Sequence, residues 1–342
     1  MPQKTISQFS TIFLLKPRVF RAAENGNWQF LENALGLERL CSFLTLSIYK
    51  NTVLKAFDYI RPQSLEEAGR YFDQGKRVAI LSGGTTLFLQ MQDGEVAPEI
   101  VIDVKALPGF HDVRYHHNHG LKLGAAVPLQ HLVTGLEIRR HYPMLHQTAQ
   151  QLASPQIRNR ATIGGALAWA SPVSELAASM LCYDAVCHTW RPGGARAIPL
   201  EEFYVGESRT ALAPDEIITH VHLPSFPSRT FGVYQRQTIR HDARRMIAGV
   251  ATLAIRKQGE LTHWRIAVLG MDDRPKRIPA AEEMLAGVPT AETVAQALAI
   301  VQENIDPQDT VYARADYRRE ALNALLERSI YQIIETLQDQ SL

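Results

Sequence analysis

Short apolar runs separated by turn residues cover most of the chain after residue 53, and they predict a mixture of strands and helices. Continuous or alternating apolar runs predict strands at 78–81, 100–104, 217–223, 249–255 and 264–269. Helical spacing of apolar residues predicts helices at 129–139, 144–152, 176–181, 280–285, 291–304 and 317–337. In the last part of the chain the helices follow the strands as a block rather than alternating with them, so the pattern favours a separate α+β domain there.

The pattern changes along the chain in a way that predicts three segments. Residues 1–52 have no clear period and are interpreted as an N-terminal extension: a partner arm, a weakly ordered stretch or an upstream piece. Residues 53–226 carry the first regular set of strands and helices. The stretch 224–228 is rich in Pro and Ser and is the best candidate for a linker. Residues 227–337 form the predicted C-terminal α+β domain.

Composition and charge exclude some partners. Apolar residues make up 46% of the 342 residues and charged residues 21%, as in a globular protein with a sizeable core. Lys and Arg total 36 against 35 Asp and Glu, so the net charge of +1 gives no reason to expect nucleic acid as partner. The longest apolar stretch, 37–48, is too short for a membrane span and contains two charges. A cytoplasmic location is therefore expected.

The cysteines do not predict a metal centre. Cys182 and Cys187 resemble part of an iron–sulfur loop, but the third cysteine, Cys41, is distant in sequence. An iron–sulfur cluster normally takes four cysteine ligands, so buried thiols in a reducing compartment are the expected state.

The histidines also favour structural roles. Three of them lie within 116–119, where a solvated hairpin tip is expected. His220 and His222 share one face of a predicted strand, but no third ligand for a zinc ion is evident.

Two Gly-Gly turns carry the clearest chemistry. The first, residues 82–86, follows the predicted strand at 78–81, and the second is at 162–166. Paired glycines allow a ligand to approach the backbone closely, and exposed amides with nearby hydroxyls attract phosphate. No Gly-x-Gly-x-x-Gly or Gly-Lys-Ser/Thr motif is present, which disfavours a Rossmann fold and a phosphate-loop NTPase. Two such turns in one domain favour a diphosphate ligand.

With their flanks, these turns resemble the FAD-binding subunit of the molybdenum hydroxylases, the family of xanthine dehydrogenase and aerobic carbon monoxide dehydrogenase. Residues 82–87 are similar to the family's first flavin loop, 156–175 to its second loop, and 124–127 to its segment near the adenine. The resemblance extends from about Leu54 to Ile334. It implies a PCMH-type FAD-binding domain of two subdomains, followed by a smaller α+β domain like the C-terminal domain of CO dehydrogenase flavoproteins.

The resemblance also implies a function in electron transfer. In such complexes the substrate is oxidised at a molybdopterin cofactor in a large partner subunit, and electrons pass through two [2Fe–2S] clusters of a small iron–sulfur subunit. FAD in this chain would pass them to NAD or another acceptor. Within this chain the resemblance implies no catalytic acid or base and no metal ligand. A stand-alone flavin oxidase or reductase of the same fold and a non-catalytic homologue are the alternatives.

The resemblance, carried over by position, defines a cofactor site in the two loops and three further segments. Its residues are Leu81, Ser82, Gly83, Gly84, Thr85, Thr86, Leu87, Ala125, Thr162, Ile163, Gly164, Gly165, Ala166, Glu175 and Arg236. The loop glycines and threonines are expected at the diphosphate, and Ile163 near the flavin ring. Ala166 replaces the family's usual Asn, Glu175 its Asp, and Arg236 its Lys. These departures concern the flavin's redox tuning and acceptor more than its binding.

Each of these residues also has a structural alternative. The loop hydroxyl residues Ser82, Thr85 and Thr162 are typical helix caps. Ile163 is typical of a core, Glu175 is typical of a first helical turn, and Arg236 is typical of a surface or interface.

Overall fold

A computed structural model describes residues 54–226, 230–239, 246–257 and 260–339. The described residues of 56–88 and 98–339 form one compact unit, which contains every predicted site residue, and residues 89–97 are grouped apart from it. The predicted N-terminal extension lies outside the described residues. Among the residues described, no helix combines the length and the apolar character needed to cross a membrane.

The first subdomain is built on a small parallel sheet. Its strands, in the order β1-β3-β2, are β1 (Asp58–Ile60), β2 (Val78–Leu81) and β3 (Ile100–Asp103). Its helices are α1 (Leu65–Gly69) and α2 (Leu87–Gln92). All residues of the central strand β3 are buried, as expected for an apolar run inside a parallel sheet. Because β2 and β3 are parallel neighbours, the Gly-Gly loop after β2 and the chain after β3 leave the sheet at the same edge.

The second subdomain is built on a five-stranded antiparallel sheet with the order β4-β5-β10-β6-β7. Its strands are β4 (Val113–His116), β5 (Gly120–Gly124), β6 (Val186–Arg191), β7 (Gly194–Pro199) and β10 (Ile217–Leu223), and a small ribbon pairs β8 (Tyr204–Gly206) with β9 (Arg209–Thr210). Its helices are α3 (Gln130–Thr134), α4 (Leu136–His141), α5 (Pro143–Gln151), α6 (Pro155–Arg158), α7 (Ile163–Ala168), α8 (Glu175–Cys182) and α9 (Leu200–Phe203). Both subdomains contribute to one continuous hydrophobic core.

The C-terminal part is an antiparallel sheet packed against helices. Its strands follow chain order: β11 (Thr230–Thr238), β12 (Met246–Lys257), β13 (Glu260–Leu269) and β14 (Lys276–Arg277). Its helices are α10 (Pro279–Met284), α11 (Ala291–Glu303) and α12 (Ala315–Asp339). Ala251 and Leu253 of β12 belong to the first core, whereas Val250 and Ala254 belong to a second core under these helices. The apolar run in β12 is therefore buried on both faces of the sheet.

Strongly periodic segments were predicted well, two local predictions were wrong, and one long strand was missed. Strands 78–81 and 217–223 coincide with β2 and β10. The helix predicted at 129–139 is split into α3 and α4, because Gly135 is extended with φ −71° and ψ 119°. The second Gly-Gly turn is instead the first turn of helix α7, and residues 230–238, for which no strand was predicted, form the long strand β11.

Two of the three cysteines are buried as expected, and the histidines of 116–119 lie on an exposed hairpin tip as expected. Cys182 and Cys187 are buried free thiols, and burial raises the pKa of Cys187 to about 12, so that its thiol stays protonated. Cys41 lies outside the described residues. Within the described ranges, no group of three or more His, Cys, Asp or Glu side chains is arranged to hold a metal ion. His220 instead stacks on His188, with ring centroids 4.2 Å apart.

Candidate cofactor site

The two Gly-Gly segments, 80 residues apart in the chain, lie in contact. The Thr162 hydroxyl donates a hydrogen bond to Ser82 Oγ at 2.8 Å. A Cβ atom on Gly83 would lie 2.3 Å from the Arg160 carbonyl oxygen and 2.9 Å from Ala161 Cα. Gly83 is therefore a glycine because the backbone of the other segment passes directly against it. We call residues 82–86 the first loop and residues 160–166 the second loop.

The first loop presents backbone donors that the described residues do not use. It leads from β2 into α2, and Gly84 adopts a left-handed conformation with φ +77°, which favours glycine. In the part of the chain that the structure describes, the backbone amides of residues 83–86 have no hydrogen-bond acceptor. Backbone amides are normally paired, and consecutive free amides in a turn form an anion-binding concavity. The loop is thus suited to a phosphate group.

The second loop, in contrast, uses its amides within the protein. Thr162 caps helix α7, and its side chain accepts a hydrogen bond from the Gly165 amide at 3.3 Å. The amides of Ile163 and Gly164 donate to carbonyl groups of the neighbouring segment 125–127, at 3.1 and 2.9 Å. The capping role considered for Thr162 is therefore present. The second loop is a rigid helix start that supports the first loop.

The glycines of the second loop differ from each other. A Cβ on Gly164 would lie 2.8 Å from the Cβ of Ala125, so Gly164 permits close packing inside the protein. Ala125 and Ile163 are 3% and 0% exposed, and both side chains belong to the core. Gly165 is exposed, and the nearest atom to a Cβ there would be Thr162 Oγ1 at 3.1 Å. Gly165 therefore offers a bare stretch of backbone to a ligand.

Glu175 and Arg236, each predicted as a separate contact of FAD, bind each other. Glu175 lies in the first turn of α8, and its Oε1 accepts hydrogen bonds from Arg236 Nη1 and, at 3.0 Å, from the Tyr234 hydroxyl. The Glu175 and Arg236 side chains are only 10% and 12% exposed. Burial raises the pKa of Tyr234, so its hydroxyl stays a neutral donor. The cluster joins helix α8 to strand β11 of the C-terminal sheet.

A further polar group behind the first loop was not predicted from the sequence. Lys105 Nζ lies 2.7 Å from Asp103 Oδ1 and donates to the Ser82 carbonyl oxygen at 3.1 Å. The Tyr59 hydroxyl donates to the other oxygen of Asp103. Burial alone would raise the pKa of Asp103, but hydrogen bonds from Lys105 and Tyr59 outweigh it, so the pKa is lowered and the carboxylate stays ionised. An acid that ends a buried strand is the signal that could have revealed this group.

The fold and both loops define a class of protein, and a comparison with family profiles identifies it. The profile of the FAD-binding domain in molybdopterin dehydrogenase matches residues 55–226, and that of the CO dehydrogenase flavoprotein C-terminal domain matches residues 233–333. The chain belongs to this family of FAD-binding oxidoreductase subunits. The predicted α+β class, its two domain types and FAD as cofactor are thereby confirmed.

Individual relatives cover most of the chain. The 6-hydroxypseudooxynicotine dehydrogenase complex subunit alpha of Paenarthrobacter nicotinovorans is 30% identical over 80% of this chain and 93% of its own length. The nicotinate dehydrogenase FAD-subunit of Eubacterium barkeri is 30% identical over 83% of this chain and 98% of its own. The solved carbon monoxide dehydrogenase of Hydrogenophaga pseudoflava contains a chain that superimposes with a TM-score of 0.78 at 26% identity, covering 83% of this chain and 99% of that chain.

The described residues fit FAD. A dinucleotide needs donors for two adjacent phosphates, and the first loop has consecutive amides without an acceptor among the described residues. It also needs a surface without side chains where it passes the protein, and Gly165 provides one.

Proposed function

We propose that this chain is the FAD-carrying electron-transfer subunit of a molybdenum hydroxylase complex. In this proposal a large partner subunit oxidises the substrate at a molybdopterin cofactor, and a small partner subunit supplies electrons from two [2Fe–2S] clusters. FAD, when bound, accepts these electrons and passes them to NAD or another acceptor. The protein contributes position and electrostatics rather than an acid or base. A cytoplasmic location is part of the same proposal.

The amides of the first loop, which have no acceptor among the described residues, are the observation that carries the proposal. They would donate to the diphosphate of FAD, with the side chains of Leu81 and Leu87 at the two ends of the loop. Thr162 would hold the first loop in position through its hydrogen bond to Ser82. Ala125, Ile163 and Gly164 would support the adjoining wall from within the core, and the partly exposed Ala166 would lie at its surface.

The Glu175–Arg236 pair lies, in this proposal, at the flavin end of the site. Because Glu175 neutralises Arg236, the pair would affect the flavin's reduction potential less than an unpaired cation would. The pair also fixes the C-terminal sheet against α8, which would keep that wall of the site rigid. A double substitution of both residues by glutamine should therefore shift the potential less than substitution of Glu175 alone.

The visible spectrum of the purified chain tests the cofactor. We expect a yellow protein that releases an equimolar amount of FAD on denaturation. A colourless protein that added FAD does not restore would contradict the proposal.

The electron route needs two further measurements. Capture of the tagged chain from its native cells should bring down partner chains that contain molybdenum and iron. Anaerobic NADH should bleach the flavin absorbance if NAD is the acceptor. Recovery only as a monomer, with the flavin reduced directly by a substrate, would instead favour the stand-alone flavin enzyme.

A further inference from the structure

We propose that Lys105 is a positioning residue for the diphosphate of FAD and that it acts through the peptide group between Ser82 and Gly83. The inference rests on the proposed function, because it assumes that the first loop binds FAD. It concerns a residue outside both Gly-Gly motifs.

The covalent geometry of this peptide group links Lys105 to the site. The Ser82 carbonyl that accepts from Lys105 Nζ at 3.1 Å belongs to the same peptide as the amide of Gly83, the first of the loop amides that have no acceptor among the described residues. In a planar trans peptide the C=O and N–H bonds point in opposite directions. Lys105 therefore contacts this peptide group on its carbonyl side, and the Gly83 N–H points away from Lys105.

The ammonium also strengthens this amide as a donor. A hydrogen bond to the carbonyl of a peptide polarises the whole group, so that its N–H becomes a better donor. The bond is charge-assisted, which makes it stronger than a bond between neutral groups. Lys105 thus prepares the Gly83 amide for an anion and adds a positive charge close to it.

Asp103 fixes the direction of this charge. It accepts from both the backbone amide of Lys105, at 3.0 Å, and its ammonium, at 2.7 Å, while Tyr59 occupies the other carboxylate oxygen. Asp103 is 3% exposed and Lys105 is 31% exposed. Because the ammonium bridges the carboxylate and the Ser82 carbonyl, the positive end of the ion pair faces the first loop.

Binding of FAD and of riboflavin, which lacks the diphosphate, tests this role. Lys105→Met should weaken FAD binding roughly tenfold, while riboflavin binding stays unchanged. Lys105→Arg should restore most of the affinity for FAD, because it keeps the charge. Fluorescence titration of the FAD-free chain measures both ligands, and the FAD affinity of the wild type should also fall more steeply with salt than that of Lys105→Met.

Lys76→Met is the matched control. Lys76 pairs with Asp58 at 3.3 Å in the same subdomain, but it precedes β2 and so lies at the opposite edge of the sheet from the first loop. We expect this variant to bind FAD like the wild type. The inference is overturned if Lys105→Met binds FAD as tightly as the wild type, or if it loses FAD and riboflavin equally. A wild-type chain that does not bind FAD would contradict the proposed function itself.

Discussion

The first and second loops look alike in sequence but differ in structure. Both contain Gly-Gly with neighbouring hydroxyl residues, yet the amides of residues 83–86 have no acceptor among the described residues, whereas those of Ile163, Gly164 and Gly165 are paired within the protein. The first loop is a turn with a left-handed glycine, and the second is the capped start of a helix. The two similar motifs thus have different roles: the first loop presents backbone donors, and the second loop holds the first in place.

The glycines differ for the same reason. Gly83 and Gly164 are glycines because neighbouring backbone and Ala125 leave no room for a Cβ, whereas a Cβ on the exposed Gly165 would meet only the Thr162 hydroxyl, at 3.1 Å. A glycine required by packing should affect folding when it is changed. A glycine required by a ligand should affect binding alone. The following predictions use this difference, beginning with the largest effect.

Gly83→Ala should disrupt both folding and binding. Its Cβ would lie 2.3 Å from the Arg160 carbonyl oxygen, so the two loops would have to separate. We expect the free energy of unfolding to fall by about 3 kcal/mol and FAD affinity to fall roughly 100-fold. Urea unfolding and FAD titration measure these changes. An unchanged affinity would show that contact between the loops is not needed for binding.

Gly165→Ala should separate binding from folding. Alanine is favoured over glycine in a helix by up to about 1 kcal/mol, which opposes the cost of the tight 3.1 Å contact with Thr162 Oγ1, so the free energy of unfolding should change little. FAD affinity should nevertheless fall roughly tenfold, because the methyl group would occupy the bare surface proposed for the ligand. Wild-type affinity in this variant would mean that FAD does not pass over Gly165.

Thr162→Val should have a moderate effect through the link between the loops. It removes the helix cap and the bond to Ser82, which together should cost about 1–2 kcal/mol of unfolding free energy. Thr162→Ser keeps the hydroxyl and serves as the control. Equal stability of the valine and serine variants in urea would contradict the supporting role of the second loop.

The smallest effect is the pH dependence of the free energy of unfolding. It should arise from Asp103, which holds Lys105 against the first loop. The pKa of Asp103 is lowered in the folded chain, so its carboxylate stabilises the fold above the ordinary pKa of about 4 and loses this contribution as pH falls through the folded pKa. The stability difference between the wild type and Asp103→Asn should therefore shrink below about pH 4. Urea unfolding over a pH series measures it. The difference in unfolding free energy between the wild type and Thr162→Val involves neutral groups, so it should stay constant with pH.

Local motifs and strong periodicity carried most of what could be predicted from the sequence. The strands β2 and β10 followed from contiguous residues, and the α+β class and FAD as cofactor followed from the family resemblance that the two motifs carry. The contacts of Glu175 with Arg236 and of Lys105 with Ser82 did not. They depend on strand β11, for which no strand was predicted, and on the parallel pairing of β2 with β3, which brings distant residues to one sheet edge.

The domain limits at residues 53, 226 and 337 and the residue-level FAD contacts stay predictions. The described part of the expected linker is held firmly, since the Tyr142 hydroxyl donates to the Pro224 carbonyl at 2.8 Å and Phe226 packs against Tyr183. A boundary inferred from Pro and Ser content alone does not reveal such anchoring.

Hydrogen–deuterium exchange of the chain with and without FAD tests the central claim most directly. The amides of residues 83–86 have no acceptor within the described chain, so they should exchange rapidly without FAD and become strongly protected when FAD binds. The amides of Ile163 and Gly164 should be protected in both states. Protection by FAD that appears elsewhere, with the peptide spanning the first loop unchanged, would contradict the claim that this loop holds the diphosphate.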